Sequence, residues 1–225
     1  MIEAVVFDLD GVLLDTEEAW DEARRQLANE RGGLWPADAQ RAMMGMSSIE
    51  WSRYMHDVVG VPDTPQEISA EVVQRLQALY RERLPLIEGA LEAVRRIGAG
   101  WPLGIASSSN RPLIDLFLEL TGTRDLFAAT VSSEEVSGGK PQPDVYLEAA
   151  RRLGVDPTAC AAIEDSENGI VSAASAAMRV VVIPNPVFPP SADALALADV
   201  ILGSLDELTA EVLAAADDPA RTQPG

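Results

Sequence analysis

Four short stretches of the sequence combine carboxylates, hydroxyls and a lysine in settings where they can do chemistry. Asp8 and Asp10 follow the apolar run Ala4–Phe7 two residues apart, so strand alternation predicts that both face the same side of a strand end. Two carboxylates placed so close repel each other unless they share a divalent cation or one of them keeps a proton. Either arrangement suits phosphoryl transfer. An ionised aspartate is a competent in-line nucleophile toward phosphorus, and a protonated one can supply the proton that a leaving alkoxide needs.

Glu164 and Asp165 follow a second apolar run, Ala161-Ala162-Ile163, and add oxygen ligands. Mg²⁺ prefers oxygen and keeps several waters, so a few carboxylates plus a substrate phosphate make a sensible site. With one histidine and one cysteine in the chain, zinc is poorly supported. Lys140, in Gly138-Gly139-Lys140-Pro141, sits in a predicted bend that can aim its ammonium at the same sheet edge. Ser107, Ser108 and Ser109 follow the run Leu103–Ala106 and precede a helix start near Arg111-Pro112, where hydroxyls and N–H groups suit phosphate oxygens. Taken singly, each stretch reads as turn chemistry or a helix cap. Together they fall where a parallel sheet gathers the C-terminal ends of its strands, which four independent caps would not explain.

The elements that must position them are short apolar strands alternating with helices. Ala4–Phe7, Leu103–Ala106, Ala128–Val131, Ala161–Ile163, Val180–Ile183 and Val200–Leu202 are the predicted strands, and the pattern implies an α/β doubly wound parallel sheet. About 95 residues separate the first strand from the second, far more than one crossover helix requires. Within that interval Ala19–Arg31 and Pro65–Arg83 read as long helices, with shorter pieces at Ala37–Met43 and Ser48–Val59. We therefore expect a core of residues 1–15 and 86–216, an inserted α-helical cap of residues 16–85 able to close over the strand ends, and a frayed tail at 217–225.

Composition narrows the classes. The 225 residues are 47% hydrophobic, and no apolar run is long enough to span a bilayer. The first residues lack the basic flank and long apolar stretch of a secretion signal, and the single Cys160 excludes an internal disulfide, so the expected location is cytoplasmic. A formal net charge of −19 argues against nucleic acid as a partner, because backbone binding needs clustered Lys and Arg. An acidic protein that handles an anionic substrate needs local cations: a metal, a placed lysine or oriented N–H groups. The oligomeric state stays open, and a monomer is compatible with the sequence.

In order, Asp8-Leu9-Asp10-Gly11, Ser107, Lys140 and Glu164-Asp165 resemble the four motifs of the haloacid dehalogenase superfamily, over nearly the whole chain. The resemblance is strongest to its helical-cap subgroup, which contains sugar-phosphate phosphatases, phosphoglycolate phosphatases and β-phosphoglucomutases. It implies a Rossmann-like core and Mg²⁺-dependent hydrolysis of a small phosphorylated metabolite, a sugar phosphate, through an aspartyl phosphate. By this resemblance Asp8 is the nucleophile and Asp10 the acid/base whose backbone carbonyl also meets Mg²⁺. Ser107, Lys140 and the N–H of Ser108 hold the phosphoryl group. Asp165 binds the metal, with Glu164 as a ligand or beside it. Asp10 also disfavours carbon–halogen cleavage, since dehalogenase members lack this second aspartate.

The alternative within the subgroup is a β-phosphoglucomutase-like mutase, which needs a second anion site in the cap. There an Arg follows the Gly-x-Ser of the cap loop, whereas here Gly45-Met46-Ser47 is followed by Ser48. A histidine is expected where Trp20 stands, which brings the chain closer to the phosphatases. Arg53 or Arg75 is left to supply the missing charge. Thr16, Trp20, Gly45, Ser47, Ser109 and Asn110 are the expected cap and substrate contacts, and Met43, Met44, Met46, Trp51 and Tyr54 fit either a pocket wall or ordinary packing. His56 lies inside the cap and Cys160 before a buried strand, so both are expected to pack rather than react. A silent binding protein is argued against by the intact Asp8, Asp10, Lys140 and Asp165.

Overall fold

The computed structural model describes residues 1–44 and 46–215. The predicted tail at 217–225 and Gly45 lie outside the described residues. Six parallel strands form one sheet: β1 (Ala4–Phe7), β2 (Leu103–Ser107), β3 (Phe127–Ser132), β4 (Cys160–Glu164), β5 (Arg179–Val182) and β6 (Val200–Ile201). Their order is β3-β2-β1-β4-β5-β6, so the chain winds outward from β1 to one side and then returns to wind the other way. The reversal falls between β1 and β4. That is where open α/β sheets bind ligands, beyond the carboxyl ends of the strands.

The strands are continuous apolar runs because both faces of the sheet are covered. Val5 and Phe7 point into one core with Ile105, Ile163 and Val181, while Ala4 and Val6 point into the other with Val131, Ala162 and Val182. All four residues of β1 are fully buried. At roughly 1.5–3 kcal/mol for each large side chain removed from water, this strand is the anchor of the fold.

The helices between β1 and β2 are α1 (Glu17–Glu30), α2 (Ala39–Met43), α3 (Ser48–Asp57), α4 (Pro65–Glu82) and α5 (Ala90–Gly98). The first four match the expected insertion, with ends shifted by one or two residues. Pro65 opens α4, whose Glu67 carboxylate accepts the Thr64 N–H at 2.9 Å, a reciprocal cap that fixes the start of the helix. Arg75 of α4 joins Glu30 of α1 and Glu71, tying the two long helices together. His56 binds the loop that follows α3, its Nδ1 lying 2.9 Å from the Asp63 carbonyl. Beyond β2 come α6 (Arg111–Thr121), α7 (Asp144–Leu153), α8 (Glu167–Ser175), α9 (Ala192–Leu195) and α10 (Ala210–Ala215). Among the described residues no helix is long and apolar enough to cross a membrane.

Two expectations about strand ends need correction. Ser107 and Glu164 belong to strands rather than following them, because each completes the ladder: Ser107 pairs with Ser132 and Glu164 with Val182. Conversely, β1 stops at Phe7, so side-chain alternation does not govern Asp8 and Asp10. The chain there turns through Gly11, at φ +86°, into a bridge between Asp10 and Leu14.

Candidate active site

Register places the first carboxylates side by side. Phe7 pairs with Ile163, and the Asp8 N–H continues the ladder to the Ile163 carbonyl at 3.0 Å, so Asp8 and Glu164 emerge together. Lys140 enters between them from the Lys140–Pro141 bend, a cis peptide. Its Nζ donates to Asp8 Oδ1 at 2.7 Å and to Glu164 Oε1 at 2.6 Å, with all three side chains buried. Tyr146 of α7 donates its hydroxyl to the same Glu164 oxygen at 2.5 Å. Burial disfavours the ammonium, yet the charges of Asp8 and Glu164 outweigh it and hold Lys140 above the ordinary lysine range. Asp8 is the reverse case. Burial, reinforced by Glu164 and Asp10, pushes its carboxyl up to about 8 against the pull of Lys140.

Asp10 borders the same cavity but has its own partners. Oδ1 accepts from the Thr16 hydroxyl at 2.7 Å and from Trp20 Nε1 at 3.3 Å; Oδ2 accepts from Ser109 Oγ at 2.7 Å and Ser107 Oγ at 3.3 Å. Thr16 is the N-cap residue of α1, but its side chain makes no cap bond and is committed to Asp10 instead. The aspartates thus occupy one site in separate settings, one against a lysine and one held by hydroxyls and an indole.

The donor set fits a divalent cation. Carboxylate oxygens of Asp8, Glu164 and Asp165 lie within 4.8 Å of one another, all three residues buried. Asp165 Oδ1 is buried without a hydrogen-bond partner, so it has a lone pair to offer a cation. Burial and the neighbouring Glu164 and Asp8 hold Asp165 well above the usual carboxylate range, so a cation there would relieve the crowding of these acids. Gly11 makes the room: a Cβ there would stand 2.0 Å from Asp165 Oδ2. Glu164 fits less well as a direct ligand, since Oε1 is taken by Lys140 and Tyr146 and Oε2 accepts the Asp165 N–H at 3.1 Å. Gly169 of α8 lets that carboxylate lie close, because a Cβ there would be 2.0 Å from both of its oxygens. The Asp10 carboxylate stands outside the cluster.

A cavity of about 640 Å³ opens over these groups. Asp8, Asp10, Ser108, Ser109, Lys140 and Asp165 border it from the sheet side; Thr16, Trp20, Met43, Met44, Met46 and Trp51 border it from the helices between β1 and β2. Ser108 Oγ is buried without a partner there. Three expected contacts lie elsewhere. Ser107 is fully buried and accepts the Ser109 N–H at 2.9 Å, shaping the loop. Ser47 caps α3 through Glu50, at 2.7 Å, and packs against Gly139. Asn110 bridges Ser69 and Glu134 beside a second cavity of about 410 Å³.

The cations proposed for the cap are also displaced, with Arg53 bordering the second cavity and Arg75 held by Glu30 and Glu71. The arginines that reach the first cavity are Arg24 and Arg41. The helical period places Arg24 one turn beyond Trp20, a spacing that marks a shared face but not an opening beside it. Nothing in the sequence around Tyr146 signals the polar task of its hydroxyl.

Residues 2–177 match the haloacid dehalogenase-like hydrolase family. Hexitol phosphatase B of Escherichia coli K12 is 36% identical over 220 residues, covering 94% of this chain and 96% of that protein. A phosphorylated carbohydrates phosphatase of Thermotoga maritima is 31% identical over 181 residues, covering 79% and 83%. The crystal structure of a β-phosphoglucomutase from Clostridium difficile superimposes with a TM-score of 0.83 at 25% identity, covering 96% of this chain and 97% of that one. With its doubly wound sheet and its four motifs gathered at the strand ends, the chain belongs to the haloacid dehalogenase-like hydrolases.

Proposed function

We propose that this phosphomonoester hydrolase cleaves a small phosphorylated metabolite, a sugar phosphate, with Asp8 as nucleophile and Mg²⁺ as cofactor. The observation that carries the reading is the buried contact of Lys140 with Asp8 Oδ1 at 2.7 Å, which leaves Oδ2 without a donor among the described residues. Oδ2 forms the bond to phosphorus as the alkoxide leaves, and Asp10 gives that alkoxide its proton. Asp10 then takes a proton from the water that cleaves the aspartyl phosphate. Lys140 counters the charge of the transferring group, and Ser108, whose hydroxyl is free, contacts its oxygens. Ser107 acts one step back, by holding the Ser109 amide and Asp10.

Asp8, Asp165 and the Asp10 carbonyl are the proposed holders of Mg²⁺, with Glu164 orienting Lys140 beside them. When bound, the cation supplies the positive charge that lets a phosphate dianion approach carboxylates. In this reading residues 16–85 are the cap that excludes water from a core of residues 1–15 and 86–216, and the enzyme is cytoplasmic. The names of the hexitol and carbohydrate phosphatases support a sugar or polyol phosphate as substrate. A mutase would need a cation on the cap loop, where Ser48 borders the second cavity instead.

The test is phosphate release from a phosphomonoester panel with and without Mg²⁺, alongside Asp8→Asn. Release should depend on the metal and disappear in the variant; unchanged release in Asp8→Asn sinks the nucleophile assignment. β-Glucose 1-phosphate with a trace of its bisphosphate separates the classes, since glucose 6-phosphate formation without net phosphate release would mean a mutase.

A further inference from the structure

Arg24 is more than nine-tenths buried, yet no described residue accepts a hydrogen bond from it and no carboxylate lies within ion-pair distance. Other arginines behave differently: Arg25 pairs with Asp21, Arg75 with Glu30 and Glu71, Arg111 with Glu135, and Arg152 with Glu148. The guanidinium of Arg24 is instead held by aromatic faces, 4.5 Å from the Trp20 ring centroid and 4.8 Å from that of Trp51. The two indoles meet edge to face at 66°, so they form a corner around the cation. Its Nε is buried without a partner, and the residue borders the cavity that Asp8 and Lys140 also border.

A buried cation with no counterion is costly, and aromatic faces offset only part of that cost. Burial pulls the guanidinium down to about 10, which leaves it charged at neutral pH. Glu17, Asp10 and Asp21 act on it only from beyond ion-pair distance. Glu17 lines the same cavity, and burial together with Asp10 holds it above the usual carboxylate range against the opposing pull of Arg24, but it makes no ion pair with the arginine. A substrate hydroxyl would leave the charge uncompensated among Trp20, Trp51, Met43 and Met46. A planar oxyanion would answer both the charge and the fork of N–H donors.

We propose that Arg24, cornered by Trp20 and Trp51, binds a second oxyanion of the substrate, a carboxylate or second phosphate remote from the group transferred to Asp8. The inference rests on the phosphatase reading and narrows it to metabolites that carry an anion at each end. Trp20 and Trp51 act here as positioning residues that fix the plane of the guanidinium.

The test is competition against p-nitrophenyl phosphate hydrolysis in the presence of Mg²⁺, using two matched pairs. Glucose 6-phosphate against 6-phosphogluconate reports a carboxylate; fructose 6-phosphate against fructose 1,6-bisphosphate reports a second phosphate. In at least one pair the doubly anionic member should compete about tenfold more tightly or better, and Arg24→Gln should bring that ratio to within about threefold, with Arg24→Lys between. Ratios within about threefold for both pairs in the wild type, or a ratio that survives Arg24→Gln, would overturn the proposal. Should Arg24→Gln fail to melt cooperatively, the wild-type ratios and the lysine variant still decide. Absence of metal-dependent p-nitrophenyl phosphate hydrolysis would instead remove the phosphatase reading itself.

Discussion

Lys140 Nζ sits between Asp8 Oδ1 and Glu164 Oε1, at 2.7 and 2.6 Å, with all three side chains buried. One ammonium therefore bridges two strand ends, and each acidic group depends on it.

Lys140→Met removes that charge and leaves the buried Glu164 carboxylate and the Asp8 carboxyl without their shared donor, so we expect a loss of about 3–5 kcal/mol in chemical denaturation together with loss of turnover. Adding Glu164→Gln should recover about 1 kcal/mol or more, because one stranded charge becomes a neutral amide. A double variant no more stable than Lys140→Met would contradict this account of the pair.

In the chelated protein Asp8 holds its proton up to about pH 8, against an ordinary aspartate value of 3.8. The folded state thus binds that proton more tightly than the unfolded chain, and the stability it lends is complete below about pH 4 and lost as the pH rises through about 8. The melting temperature without metal should fall across that window, and saturating Mg²⁺ should flatten the slope as the cation replaces the proton. A flat metal-free profile would show that Asp8 ionises normally.

Gly11→Ala places a Cβ 2.0 Å from Asp165 Oδ2 at a backbone φ of +86°. We expect Mg²⁺ affinity in titration calorimetry to fall by about tenfold or more, with about 1 kcal/mol or more of lost stability. Unaltered affinity would remove Asp165 from the metal site.

Thr16→Val deletes the hydroxyl that reaches Asp10 Oδ1 while keeping the shape of the side chain. Since Thr16 makes no cap bond to α1, stability should change little. Turnover should fall by about tenfold, the equivalent of one hydrogen bond to a charged group. A fall in stability with unchanged kcat would mark Thr16 as purely structural.

Glu134 accepts from Asn110 Nδ2 at 2.7 Å, from the Arg111 N–H at 2.9 Å and from Ser48 Oγ at 3.4 Å, joining α3 to the loop after β2. Glu134→Ala should cost about 1–3 kcal/mol and loosen amide-exchange protection of α3 more than that of β1. Uniform loss of protection across both would place Glu134 in the general core.

The sheet was legible because strands buried on both faces are unbroken apolar runs, as at Val5-Val6-Phe7 and Val180-Val181-Val182. The helices between β1 and β2 were legible from the length of that interval and from Pro65. Strand ends were misplaced where polar residues complete the ladder, since Ser107 and Glu164 carry no apolar signal for a backbone pairing. Asp8, Asp10 and Asp165 were singled out because they follow strands closely, and Lys140 because of its Gly-Gly-Lys-Pro bend. Arg24 and Tyr146 were not, because the helical period reads which residues share a face and not which atoms at the rim are left unpaired.

Trp20, which donates to Asp10, and Arg24, which stacks on Trp20, are four residues apart on α1. A substrate that tilts or rolls this one rod moves the indole against Asp10 as well as the guanidinium. Exchanging α1 to change what the enzyme accepts would therefore also disturb the setting of Asp10, so new specificities should be reached more readily through the Met43, Met44 and Met46 wall.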